Sequence, residues 1–199
     1  MITRKEMTRM LLKEGLLSCL VNNSFESVTV TSLCKASGIT RSTFYLHYSN
    51  IMEIVDDLVD DAISYSRPGM VDNNNLQIIA KALSATSDSI SLREAYDSIF
   101  DRLPLCQRII RHKKYLPLFL DEQISEYVLQ RIIRREKDRQ GLVMAEALGI
   151  SFDVGVSVFV FLVHGLYAIN KEYKWTQSDE WLEAQKIIFE LVYRGLQSK

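Results

Sequence analysis

The chain is poor in residues that break helices and in groupings that carry out chemistry. Eight glycines and three prolines in 199 residues leave long stretches uninterrupted, which suits an all-α protein better than a turn-rich β fold. Its cysteines, Cys19, Cys34 and Cys106, are odd in number and lie in apolar helical patterns rather than at metal-ligand spacings. They read as buried reduced thiols, with a redox-sensing thiol as the alternative. There is no glycine-rich phosphate loop and no nucleophile elbow, and His47, His112 and His164 fall on different predicted helices. The chain is therefore read as non-enzymatic, with no cofactor and no metal; catalysis would need acid–base groups that meet only in tertiary structure.

No charge of one sign dominates, since the formal net charge is −1. That near-neutrality hides a polarity: residues 1–50 hold six Lys or Arg against three Glu, and residues 51–66 hold five acids and no base. A modestly basic amino-terminal part is compatible with DNA. Met1-Ile2-Thr3-Arg4-Lys5-Glu6 opens an amphipathic, charged stretch rather than a signal peptide, so the expected compartment is the cytoplasm.

What is present is helical periodicity. Thr3 to about Asn22 reads as a first helix with Met7, Met10, Leu11, Leu17 and Leu20 inward. Asn23 is expected to close it in a left-handed conformation. Thr29 caps a second helix carrying Val30, Leu33 and Cys34 at spacing i, i+3, i+4, and Gly38-Ile39 forms a tight turn. Thr40 to Tyr48, TRSTFYLHY, reads as a third helix. Phe44 and Tyr48, four residues apart, face inward with Ile39, and Arg41, Ser42, Thr43, Tyr45 and His47 lie on the other side. One cation, hydroxyls, a phenol and an imidazole on an exposed helix face match the donors that phosphates and base edges accept from.

These residues carry a resemblance. Asn22 to Val30, followed by Leu33 to Tyr48, resembles the DNA-binding head of the TetR family of bacterial transcriptional regulators. The match covers about a quarter of the chain, with turn, core and exposed positions in register. Ser24 stands where the family usually has Gly, and Ile51 where it usually has a phosphate-contacting Lys. The resemblance implies an all-α fold: a three-helix head over 1–50 and a ligand-binding and dimerisation body over 51–199, with about nine helices in all. A helix at 51–65 links the two. It implies DNA contact by Thr29, Thr31, Lys35, Thr40, Arg41, Ser42, Thr43, Tyr45 and His47. Arg41 is the guanine reader and Tyr45 the phosphate ligand; His47 serves either DNA or packing. The implied partners are a double-stranded operator, a second copy of the chain and an unknown small-molecule effector, with no membrane. The alternative is a helical dimeric small-molecule-binding protein without DNA-binding activity.

Further along, Asn50 is expected to cap the linking helix, with Ile54, Val55, Leu58, Val59 and Ile63 inward. Its acids Asp56, Asp57, Asp60 and Asp61 form like-charged i, i+4 pairs, so a basic segment is expected opposite, with Arg108 to Lys114 nominated; solvated acids are the alternative. Arg67-Pro68-Gly69 and Asp72 to Asn75 mark a connection. Leu76 to Ser87 follows as a helix, and Ser91 to Glu94 as a capping box. Pro104 is expected to interrupt, and Pro117 to open a helix running to Gly141. Arg108 to Lys114 also reads either as surface charge or as an anchor for an anionic ligand. Tyr96, Phe100, Tyr115, Phe119, Tyr127, Phe161 and His164 have the phase and size to line a pocket, with simple core filling as the alternative for each.

Ile150 to Ile169 is nearly all apolar and long enough to span a bilayer, but Asp153 and His164 make insertion costly. A helix apolar nearly all round is expected to face both its own core and a partner. With the amphipathic Ser178 to Gln197 it resembles the family's four-helix dimer interface, with Gly155, Val158, Leu162, Gly165, Trp181, Ile188, Leu191 and Val192 as the contact residues.

Overall fold

The computed structural model describes residues 3–66, 75–86, 88–103, 105–108 and 113–197. The protein is all-α, and no strand occurs among the described residues. The chain divides into two compact units, Met1–Ser64 with His112–Ile132 and Tyr65–Arg111 with Ile133–Lys199.

In the first unit, α1 (Arg4–Asn22) begins at Thr3, whose hydroxyl accepts from the Glu6 amide while the Glu6 carboxylate accepts from the Thr3 amide. This reciprocal cap satisfies two otherwise orphaned donors. The buried stripe is Leu12, Leu16, Leu17 and Leu20, whereas Met7, Met10 and Leu11, expected inside, are exposed. The stripe is set by Gly15: a Cβ there would lie 2.1 Å from Ser37 Oγ. The next helix therefore crosses α1 at that glycine, one step round from the methionines. Asn23 does not turn left-handed; its backbone is extended at φ −140°, and its side-chain amide donates to the Cys19 carbonyl instead. That side-chain bond lets a non-glycine residue end the helix. A 3-10 turn, Phe25–Ser27, leads to α2 (Val30–Ser37), capped by Thr29 and ended by Gly38 at φ 66°.

The third helix, α3 (Arg41–Tyr45), is only five residues long and is capped by Thr40. The expected extension to Tyr48 is replaced by a turn in which the Leu46 amide donates to the Thr43 carbonyl. Helix α4 (Ile51–Ser66) follows, with Asn50 Oδ1 accepting from the Glu53 amide and Glu53 accepting from the Ser49 amide. Ile54, Val55, Leu58, Val59 and Ile63 are all buried, as their spacing predicts. The short helix α8 (Leu116–Leu120) and the first turns of α9 (Ser125–Leu148) complete this unit. Between them Asp121 accepts from the amides of Gln123 and Ile124, while its other oxygen accepts from the Phe25 amide at 2.6 Å.

The second unit contains α5 (Asn75–Ser84), α6 (Ser89–Ser98), a 3-10 turn Phe100–Arg102, α7 (Leu105–Arg108), residues 133–148 of α9, α10 (Phe152–Glu172) and α11 (Asp179–Gln197). Helix α6 starts three residues before the capping box expected from Ser91, because Asp88 is the cap and Ser91 its reciprocal partner. Helix α9 passes through Gly141 and ends at Gly149, φ 62°. Gly141 is an approach site instead of a terminator: an added Cβ would lie 2.4 Å from Val156 Cγ2, and one on Gly155 2.3 Å from the Gly141 carbonyl oxygen. The core is built on Trp181, whose ring meets Tyr96 edge-on at 5.1 Å and whose Nε1 donates to Asn170 Oδ1 at 3.0 Å. Tyr96 donates to Gln107, and Gln107 to Gln185, at 3.1 and 3.0 Å. The punctuation expected at Arg67 to Asn74, and Pro104, Arg111 and His112, lie outside the described residues.

Candidate nucleic-acid interface

The α2–turn–α3 segment is held from behind and open in front. Phe44 and Tyr48 are buried, 0% and 3% exposed, with ring centroids 6.3 Å apart. Gly38 supplies the left-handed corner, and Thr29 and Thr40 close the two helix starts by accepting from the Ser32 and Thr43 amides. With the apolar side fixed, Thr29, Thr31, Lys35, Thr40, Arg41, Ser42 and Tyr45 are exposed. Thr43 and His47 are half-buried, and His47 Nδ1 is turned away from solvent. Thr40 Oγ1 lies 3.0 Å from Ser42 Oγ and 2.8 Å from Thr43 Oγ1, so these hydroxyls already partner one another. The Arg41 guanidinium is close enough to Cys34 to oppose the effect of burial, which pushes that thiol up. Leu46, not among the residues singled out from the sequence, stands 81% exposed at the end of α3. Its spacing of four from Ser42 is the signal that places it on the outer face.

Behind this segment the acids of α4 are matched by cations. Arg9 donates through both Nε and Nη2 to Asp57 Oδ2, and the Tyr48 hydroxyl donates to the same oxygen at 2.6 Å. Arg9 also lies over the Tyr48 ring, 4.9 Å from its centroid. Burial, with the hydrogen bond to Asp57, pushes the Tyr48 phenol well above its usual range. Lys13 pairs with Asp61, and Arg131 reaches Asp56 and Asp60 at 3.1 Å each, with the Tyr127 hydroxyl donating to Asp56. Of the nominated segment, Lys114 pairs with Glu14 at 2.6 Å and is raised by that bond first and more weakly by Asp61. The counter-cations of the ladder thus come mainly from α1 and α9. Arg9 is committed to α4. Arg4, Lys5, Lys35 and Arg41 are exposed and make no ion pair among the described residues.

The residues nominated for a pocket are divided between the units. Tyr115 and Phe119 are buried in the first, with Tyr127 bound to Asp56. In the second, Tyr96 is enclosed in the core, Phe100 and His164 are half-buried, and Phe161 is 72% exposed. Two described grooves contain none of the seven. One, of about 610 Å³, runs along Leu20, Val21, Leu116, Pro117 and Leu120 in the first unit. The other, of about 420 Å³, is lined by Asp88, Asp179, Glu183 and Lys186 in the second.

Among the nominated dimer contacts, Gly155 and Trp181 lie in the interior of the second unit. Gly155 is occupied by the α9 crossing and Trp181 by Tyr96 and Asn170, so neither reaches the surface. Gly165 and Leu191 are exposed, and Val158, Leu162, Ile188 and Val192 are half-buried. Val154, Phe161 and Ile187 add to the exposed apolar face. Helix α10 is long and apolar enough to cross a membrane, and only 28% of its most apolar window is buried within the protomer.

No protein-family model and no curated protein sequence matches the chain. Among solved structures it is similar to the crystal structure of the TetR family repressor AlkX from Dietzia sp. strain DQ12-45-1b, implicated in biodegradation of n-alkanes. The two are 13% identical, with 95% of each chain covered and a TM-score of 0.42. A likeness at that level bears on neither the function nor the partners of this chain.

Proposed function

We propose that the protein is a DNA-binding transcriptional regulator, a repressor that acts in the cytoplasm as a homodimer on a near-palindromic operator and responds to a small-molecule effector held by residues 51–199. The observation that carries this reading is the α2–turn–α3 segment. Its apolar side is sealed by Phe44 and Tyr48 while Lys35, Arg41 and Tyr45 face solvent with their donors available. Lys35 and Tyr45 suit phosphates, and Arg41 suits the O6 and N7 acceptors of guanine.

The exposed apolar faces of α10 and α11 support a second copy as the cover, and Asp153 and His164 within α10 favour that cover over a bilayer. Two such heads on one duplex face must lie about 34 to 36 Å apart, or at another groove-compatible distance. An effector that favours a different separation weakens binding, and coupling of about 1 to 3 kcal/mol gives a 5- to 150-fold response.

The test is selection of bound duplexes from a random pool by full-length protein, with the salt dependence of the selected site measured beside a scrambled one. The expected result is an inverted-repeat site with a steep salt slope, bound by a species of twice the chain mass. Failure to enrich any sequence, or a strictly monomeric protein, would overturn the reading.

A further inference from the structure

The outermost ridge of α3 ends in a hydrocarbon side chain. At about 100° per residue, Ser42 and Leu46 fall close to one line, and Phe44, which is 0% exposed, points the opposite way. Leu46 keeps right-handed helical dihedrals, φ −75° and ψ −17°, so the phase of α3 carries through to it. It is more exposed than any other large apolar side chain among the described residues. On the same segment Arg41 and Tyr45 are exposed, and the hydroxyls of Thr40, Ser42 and Thr43 are mutually bonded. A surface leucine alone carries no meaning. This one occupies the crest of the element on which the DNA-binding reading rests, on a segment whose exposed cations, Lys35 and Arg41, attract a polyanion.

The major groove offers acceptors, donors and a single apolar group, the 5-methyl of thymine. Resting on the reading above, we propose that Leu46 is a specificity-determining residue that selects thymine in each half-site by packing against this methyl. Arg41 supplies the polar half of the readout and Leu46 the apolar half. The Ser42 hydroxyl, already partnered by Thr40, contributes less to base choice than its position on the ridge suggests.

The experiment uses full-length protein and a duplex selected from a random pool, with each thymine replaced in turn by deoxyuridine, which removes only the methyl. Wild type is expected to lose about fourfold in affinity for each critical methyl, the value of one buried carbon, at one thymine per half-site. Leu46→Ala should bind the unmodified duplex weaker by a similar factor and be indifferent to deoxyuridine at that position. Leu46→Met, which keeps the crest apolar, should retain the sensitivity. All three proteins should melt alike, since the side chain is exposed. The proposal is overturned if wild type ignores every replacement, or if Leu46→Ala stays as sensitive as wild type at every thymine. Failure of the broader DNA-binding reading is distinguishable, because then no duplex is selected and no thymine is ever replaced.

Discussion

Arg9, Lys13 and Arg131 each sit on carboxylates of α4, whereas Lys35 and Arg41 on α2 and α3 are exposed and make no ion pair among the described residues. All five belong to the same unit, so composition alone assigns them one role. Their surroundings assign two. Cations that meet α4 neutralise like-charged neighbours and hold helices together; those on the α2–α3 side keep their charge open to solvent. The basic excess of residues 1–50 is therefore smaller in effect than its count, because Arg9 and Lys13 are already matched.

Substitutions separate the two groups. Arg41→Ala is expected to lower affinity for the selected site about 5- to 150-fold and to relax choice at the guanine position, with the melting temperature unchanged. Arg9→Ala should do the reverse. It removes a charged donor from Asp57 and from Tyr48 and should cost about 1 to 2 kcal/mol in denaturant unfolding, the lower part of the usual range because the pair is partly open to solvent. Asp57→Asn sharpens that contrast, since it weakens both the Arg9 and the Tyr48 bonds and should approach the Arg9→Ala value without changing base preference. Lys35→Ala should weaken all DNA sites alike and reduce the salt slope by about one unit. A change in sequence preference from Lys35→Ala, or a large loss of stability from Arg41→Ala, would erase the division.

The smallest effect concerns pH. Backbone and side-chain hydrogen bonds from Thr3 hold the Glu6 carboxyl below its ordinary value. That cap is present above the ordinary carboxylate range and is lost as pH falls through the lowered value. The protection of the first-turn amides of α1, corrected for intrinsic exchange at each pH, should therefore fall on acidification, and Glu6→Ala should remove that pH dependence.

Much of the amino-terminal architecture was legible because it is written in local chemistry. Thr29, Thr40 and Asn50 announce helix starts, Gly38 a left-handed corner, and Phe44 with Tyr48 an inward pair. Arg41 is exposed although its phase lies near that of Phe44, because it opens the helix. Three features were not legible because they depend on residues distant in sequence. The inward face of α1 turns on Gly15 meeting Ser37, which no periodicity within α1 reports. Gly141 reads as a helix end until Gly155 and Val156 are seen against it. The partners of the α4 acids come from either side along the chain, Arg9 and Lys13 before and Arg131 after, and Lys114, at the end of the nominated 108–114 segment, also acts on Asp61. An aromatic at the right phase reads the same whether it fills a core, as Tyr96 does, or binds a carboxylate, as Tyr127 does.

The first unit is written in two instalments, Met1–Ser64 and His112–Ile132, and Asp121 in the second instalment takes the Phe25 amide in the first. During synthesis the ribosome must therefore make the whole of residues 65–111 before the amino-terminal helices receive their last supports. A nascent chain released early therefore carries an unfinished first unit, lacking the carboxylate that takes the Phe25 amide.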